Sequence, residues 1–287
     1  MKKEFRRDVE VVVISDVHLG TYGCQAEELL QYLKTINPKK LILNGDIIDM
    51  WQFSKRYWPS SHMQIIKYIT SVLSRKTEVV YITGNHDEML RRFVGFKLGS
   101  FKIENKLVLK LDGKKAWFFH GDVFDVTMQY SKWLAKLGAV GYDSLIILNT
   151  FVNFCLRSVG RGKISLSKRI KDSVKTAVKF IDDFENTAAD IAIDNRYDYV
   201  ICGHIHQPQH REINTSKGQV TYLNSGDWVE NMTALEYNKG QWSIYDYRTD
   251  ELAKQIKKSN GKVKEKYQTN NDLFQDMVTE FLTASKK

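Results

Sequence analysis

The chain has 287 residues, 43% apolar and 27% charged, which suits one large folded domain or two small ones and excludes wholesale disorder. Lysine and arginine number 43 against 34 acids, a net +9 that favours an anionic partner such as phosphate, nucleic acid or a lipid headgroup surface. The longest apolar runs, such as Val11 to Ile14 and Ile146 to Leu148, fall far short of the ~20 residues needed to span a bilayer.

Met1 to Asp8 is charged and has no cleavage signature, so it does not read as a signal peptide. Val9 to Ser15 follows with an unbroken apolar run from Val11 to Ile14, the pattern of a strand buried on both faces. Lys40 to Asn44 and Glu78 to Ile82 repeat it, and the helical spacings of Ala26 to Ile36 and His62 to Leu73 lie between. Strand and helix alternating at this length predict an α/β protein. Lys106 to Leu111 and Lys115 to His120 form a hairpin turning at Asp112-Gly113. From about Val126 to Asn195 the pattern changes to long helices, read as an insertion or lid within one domain of residues 1–249. Between Leu156 and Phe180 eight cations face Asp172 alone, a local net of +7. Tyr197 to Cys202, Gln219 to Leu223, Thr233 to Tyr237 and Gln241 to Tyr247 give further strands. Residues 250–287 read as a charged tail with a short amphipathic helix from Leu273 to Leu282. Cys24, Cys155 and Cys202 are widely separated and form no CxxC pair, which points to a reducing, cytoplasmic setting and away from a disulfide or zinc-thiolate framework.

Metal-ligand residue types occur in five short clusters, each where a predicted strand ends. These are Asp16-Val17-His18, Gly45-Asp46-Ile47-Ile48-Asp49, Gly84-Asn85-His86-Asp87, His120-Gly121-Asp122 and Gly203-His204-Ile205-His206. Sites in open α/β sheets form at the carboxyl ends of strands, so clusters distant in sequence can converge. Two divalent cations need a bridging carboxylate with imidazole and oxygen ligands, and they clamp a phosphoryl group while activating water. Five of the seven histidines lie in these clusters, whereas His62 and His210 read as structural or surface residues.

In this order the five clusters resemble the calcineurin-like metallophosphoesterases. The resemblance implies a four-layer α/β/β/α sandwich with a helical insertion and a two-metal site. Asp16, His18 and His206 would bind one ion, Asn85, His120 and His204 the other, and Asp46 would bridge them. A metal-bound hydroxide would attack phosphorus, with His86 beside the phosphate and Asp87 orienting it. Gly45 to Trp51, Leu223 to Asn231 and the helical insertion are similar to the UDP-2,3-diacylglucosamine pyrophosphohydrolase branch. This narrower likeness implies cleavage of a lipid-linked nucleotide to UMP and a sugar-lipid 1-phosphate in lipid A biosynthesis. It also implies manganese as the foremost metal, with iron, zinc or cobalt as substitutes, and peripheral contact with an anionic inner membrane. One position departs: the lipid A enzymes continue Gly-Asn with arginine, where this chain has His86. Histidine leaves two-metal hydrolysis intact and leaves open a soluble phosphomonoester, phosphodiester or nucleotide. Asn85, His86, Asp125, Tyr130, Arg157, Arg161, Lys163 and Lys168 are the candidate substrate contacts. No recognised nucleic-acid module occurs, so nucleic acid is not an expected partner. The sequence leaves the oligomeric state open.

Overall fold

The structure, a computed structural model, describes residues 6–52, 57–75, 77–124, 166–254 and 274–275, with the backbone alone for 166–177. The chain divides into a unit of Met1–Gly121 with Ala189–Lys287, and a second unit, Asp122–Ala188. Residues 126–165 of the expected insertion, and the expected tail helix except 274 and 275, lie outside the described residues.

The first unit begins with β1 (Arg7–Ile14), α1 (Ala26–Thr35), β2 (Ile36–Asn44), α2 (Ser60–Leu73) and β3 (Glu78–Ile82). A 3-10 segment, Glu88–Phe93, leads into β4 (Lys97–Leu98) and β5 (Phe101–Glu104). The hairpin β6 (Lys106–Leu111) and β7 (Lys114–Phe119) follows, and α3 (Leu166–Asp194) returns the chain to this unit. The last strands are β8 (Tyr199–Cys202), β9 (Gln209–Thr215), β10 (Gly218–Asn224), β11 (Thr233–Asn238) and β12 (Gln241–Asp246). They form a seven-stranded sheet, β12-β11-β1-β2-β3-β5-β4, and a five-stranded sheet, β6-β7-β8-β10-β9. This mixed α/β architecture with two sheets is the one the sequence predicted.

Strand geometry explains the apolar runs, because successive side chains point to opposite faces. Val12 and Ile14 join Leu41, Leu43 and Val79 in a core with Leu29, Leu33, Ile65 and Val72 of α1 and α2. Val11, Val13, Ile42 and Val80 face the other way, packing with Phe118, Tyr199, Ile201 and Leu223 of the second sheet. Burial on both faces makes β1 continuously apolar from Val11 to Ile14 rather than alternating. The parallel pairings β1–β2, β2–β3 and β7–β8 set the carboxyl ends of five strands at one edge of the sandwich.

Three strands escaped the sequence reading. β9 is an edge strand, mostly exposed, whose Gln209–Thr215 sequence is polar except for the buried Ile213. β4 and β5 span only two and four residues at the other sheet's edge. Also, β2 begins at Ile36, four residues before the predicted Lys40, because the helix passes into the strand with no intervening loop.

Candidate metal centre

The loops after β1 and β2 are locked together by their backbones. Asp16 N donates to Gly45 O at 3.1 Å, and Val17 N and His18 N both donate to Asp46 O at 3.0 Å. His86 N, after β3, donates to Asp46 Oδ1 at 2.8 Å. From the second sheet, Gly203 N donates to His120 O at 2.9 Å, and His204 N donates to Asp16 Oδ2 at 3.0 Å. Two sheets are thereby tied to one carboxylate edge.

Asp16, His18, Asp46, His204 and His206 all have positive φ, between 51° and 70°. This left-handed region costs a non-glycine residue about 1–2 kcal/mol, and such strain concentrates at functional sites. Asp46 also needs Gly84 beside it, since a Cβ there would collide with the Asp46 carboxylate and backbone. Likewise, a Cβ on Gly203 would lie 2.6 Å from Asp16 Oδ2.

The expected ligands converge in two groups. Ligand atoms of Asp16, His18 and His206 lie within 4.8 Å of one another, as do those of Asp46, His120 and His204. A third group, His18, Asp46 and His86, shares His18 with the first and Asp46 with the second. His206 Nε2 stands 3.2 Å from Asp16 Oδ1, and His120 Nε2 stands 3.2 Å from Asp46 Oδ2. Asn85 belongs to the loop after β3, and its Oδ1 is buried without a hydrogen-bond partner. His18 Nε2 is buried in the same condition. Buried polar atoms are rarely left so in native proteins. Imidazole, carboxylate and amide oxygen donors together suit first-row divalent ions. The residues present fit two such ions.

The electrostatics follow from this crowding. Burial pushes the Asp16 and Asp46 carboxyls up, but the facing histidines, His206 for Asp16 and His120 for Asp46, overcome it and hold both below the ordinary range. Burial works against the charge on His206, yet Asp16 raises its pKa to about 9. A metal taking this place must displace that proton, so ligation and proton release are linked.

Orientation of His86 differs from expectation. Asp87 is fully buried beneath the site and accepts from Ile47 N at 3.0 Å, Gly84 N at 2.6 Å and Tyr81 Oη at 2.6 Å. It thus fixes the two loop backbones and leaves the imidazole alone. Asp49 does the orienting: its Oδ2 accepts from His86 Nδ1 at 2.9 Å and from His18 Nδ1 at 3.2 Å. Its Oδ1 caps the following turn, accepting from Trp51 N and Gln52 N at 3.0 and 2.8 Å. With Nδ1 of both rings donating to Asp49, each Nε2 is left for a metal or substrate. Asp227 faces His206 through charge rather than a hydrogen bond. Its Oδ2 lies 3.9 Å from His206 Nδ1, and Asn231 Nδ2 spans Asp227 Oδ2 and the His206 carbonyl. The second aspartate of Gly45-Asp46-Ile47-Ile48-Asp49 was the available sequence signal for Asp49.

Of the two tryptophans flanking these motifs, Trp228 is fully buried core, stacked 5.6 Å from Tyr32. Trp51 is half exposed, with its ring centroid 4.2 Å from that of His86. His62 is buried and accepts from Gly20 N at 3.0 Å, and His210 is an exposed β9 residue. Of the expected substrate contacts, His86 is at the centre, and Asn85 precedes it in the same loop. Asp125, Tyr130, Arg157, Arg161 and Lys163 lie outside the described residues, and Lys168 is described by its backbone in α3 alone. Among the described residues, no helix is long and apolar enough to cross a membrane.

A two-sheet α/β sandwich whose strand-end loops gather these ligands is the framework of a metal-dependent hydrolase with a dimetal centre. The chain belongs to the calcineurin-like phosphoesterases, the family that matches residues 9–208. Among curated proteins it is similar to the UDP-2,3-diacylglucosamine hydrolase of Blochmanniella pennsylvanica, 26% identical over 80% of this chain and 93% of that one. The enzyme of the same name from Aliivibrio fischeri is 22% identical, over 82% of this chain and 97% of that one. Among solved structures, an archaeal phosphodiesterase aligns with a TM-score of 0.40 at 13% identity, covering 82% of this chain and 98% of that one.

Proposed function

We propose that the chain hydrolyses the diphosphate of UDP-2,3-diacylglucosamine, or of a closely related lipid-linked nucleotide, to UMP and a sugar-lipid 1-phosphate. The observation that carries this reading is the convergence of six of the seven expected ligands in a chain matched over about four fifths of its length by hydrolases of that name. In this reading Asp16, His18 and His206 hold one ion, Asn85, His120 and His204 the other, and Asp46 reaches both. Two divalent ions, manganese foremost, supply a nucleophile from water at neutral pH and offset the charge on phosphoryl oxygens.

The protein's own groups do the rest. His18 is held by a hydrogen bond to Asp49, so its coordinating nitrogen is set in place before metal arrives, and the Asp227 carboxylate faces His206 at 3.9 Å. Water's oxygen bonds to phosphorus, and the anhydride oxygen leaves with the electron pair. His86 keeps a proton on Nδ1 toward Asp49 and presents Nε2 to a phosphoryl or leaving oxygen. Burial lowers the affinity of His86 for a second proton, but Asp49 and Asp46 outweigh it and raise the pKa, which favours donation from Nε2. Residues 1–249 make up the phosphoesterase domain in this reading, and 126–195 its lid. Asp125, Tyr130, Arg157, Arg161, Lys163 and Lys168 contact the diphosphate and sugar. The protein works at the cytoplasmic face of the inner membrane.

The test is UMP release from UDP-2,3-diacylglucosamine in detergent micelles by manganese-loaded protein, with Asp46→Asn as control. Release that stops on chelation and is absent from the control is expected. Cleavage of bis-p-nitrophenyl phosphate without any UMP release would contradict the lipid reading and transfer the site to soluble phosphodiesters.

A further inference from the structure

Immediately after the His86 loop the chain displays apolar side chains that the core does not use. Met89, Phe93, Val94, Phe96 and Leu98 are 58%, 56%, 38%, 47% and 50% exposed. These are five of the thirteen exposed large apolar side chains among the described residues, gathered in ten consecutive positions, so scattered surface exposure does not account for them. The backbone beneath is hydrogen-bonded. Phe96 N donates to Phe93 O at 2.9 Å, Gly95 N to Ile103 O at 2.9 Å and Ile103 N to Phe96 O at 3.1 Å. Leu98 pairs with Phe101 in the β4–β5 ladder. Gly95 and Gly99, both at positive φ, turn this backbone outward, and a Cβ on either would meet nothing within 4 Å. An ordered framework therefore presents the apolar groups to the surroundings.

The polar residues interleaved with them choose the partner. Arg91, Arg92 and Lys97 stand among the apolar groups, and Glu88 is the one acid between residues 88 and 99. Arg92 and Lys97 have no ion-pair partner among the described residues, so the patch is both apolar and cationic. A soluble acidic protein would satisfy the cations and leave Phe93 and Phe96 against water or a matching apolar face. An anionic bilayer satisfies both at once, taking rings and aliphatic groups at the acyl boundary and cations at the headgroups. We infer that Glu88–Leu98 is a docking surface for an anionic phospholipid membrane, carried by the sandwich itself and beginning two residues beyond His86. This deepens the proposed function, on which it rests for its purpose: a site next to a bilayer receives a lipid-linked diphosphate without extracting it into water.

Vesicle co-sedimentation tests it, using the full chain with phosphatidylcholine vesicles and with phosphatidylcholine containing phosphatidylglycerol. The wild type should bind the anionic vesicles, and binding should fall as salt is raised. Arg92→Glu/Lys97→Glu should weaken binding by more than about tenfold, given that each cation near such a surface contributes on the order of fivefold. Phe93→Ser/Phe96→Ser, which leaves the charge unchanged, should weaken it by at least about tenfold. Both variants should cleave bis-p-nitrophenyl phosphate at the wild-type rate, showing an intact fold and site. Equal binding by wild type and variants, no binding by wild type, or a wild-type dimer that Phe93→Ser/Phe96→Ser dissolves would overturn the inference. The two readings fail separately. Loss of docking in the variants with normal UMP release in micelles supports both, whereas docking without any UMP release removes the substrate assignment and leaves the surface standing.

Discussion

His86 has an aspartate immediately after it and another at position 49, and the one nearer in sequence is the one it does not touch. The backbone turns after His86, so the Asp87 carboxylate goes down to Ile47 N, Gly84 N and Tyr81 Oη. Asp49 instead rises between two imidazoles with one oxygen on each of two tasks. Replacing it with asparagine keeps the size but cannot satisfy both sets of donors. If the amide oxygen caps the Trp51 and Gln52 amides, the amide nitrogen opposes the Nδ1–H groups of His18 and His86. Asp49→Asn should therefore cost about 10–100-fold in turnover or metal affinity, the usual scale for a partner that orients a ligand. Phosphodiester turnover against manganese concentration measures this, and wild-type curves for the variant would contradict the assignment. The ligand types were legible because each follows a strand-like run. The five left-handed backbones were not, since aspartate and histidine carry no signal that forces φ positive; the loop-to-loop hydrogen bonds impose it.

At the scale of elements, the strands buried on both faces were legible and the edges were not. β1 from Val11 to Ile14 and β3 from Val79 to Ile82 are continuously apolar because a sheet or helix covers each side. β9 has little to bury, so its sequence is that of a loop, and only pairing with β10 makes it a strand. The helix α2 does more than cover the sheet. Its His62 accepts the Gly20 amide at 3.0 Å and lies edge-on to Tyr57 and Trp58, which fastens α2 to the loop carrying His18. Accepting at Nδ1 requires an uncharged ring there, and burial lowers its pKa from 6.5 to about 4. Between those values the unfolded chain binds more protons than the folded one, so this histidine's contribution is intact above pH 6.5 and is lost as pH falls toward 4. Thermal melts of wild type and His62→Gln should converge as pH is lowered through that window, because only the wild type meets this loss. A melting-temperature gap that stays constant from pH 7 to pH 4 would show that the ring is not held neutral.

For the molecule as a whole, the expected ligands and their orienting aspartates all lie in the unit of Met1–Gly121 with Ala189–Lys287. The sandwich can thus assemble its centre from strand ends alone, and residues between need only not obstruct it. The order of the five clusters made this organisation readable, since each marks where a strand meets the same edge. The stretch read as a helical insertion offered no comparable pattern: its basic residues specify a charge for the partner but no geometry for contact. The most direct test is metal content per chain, measured on manganese-reconstituted wild type and Asp46→Asn together with phosphodiester turnover on the same samples. Two ions per wild-type chain are predicted, with metal and turnover lost together in Asp46→Asn. An Asp46→Asn protein that keeps two ions and full turnover, or a wild type that turns over without bound metal, would contradict a dimetal centre at Asp46.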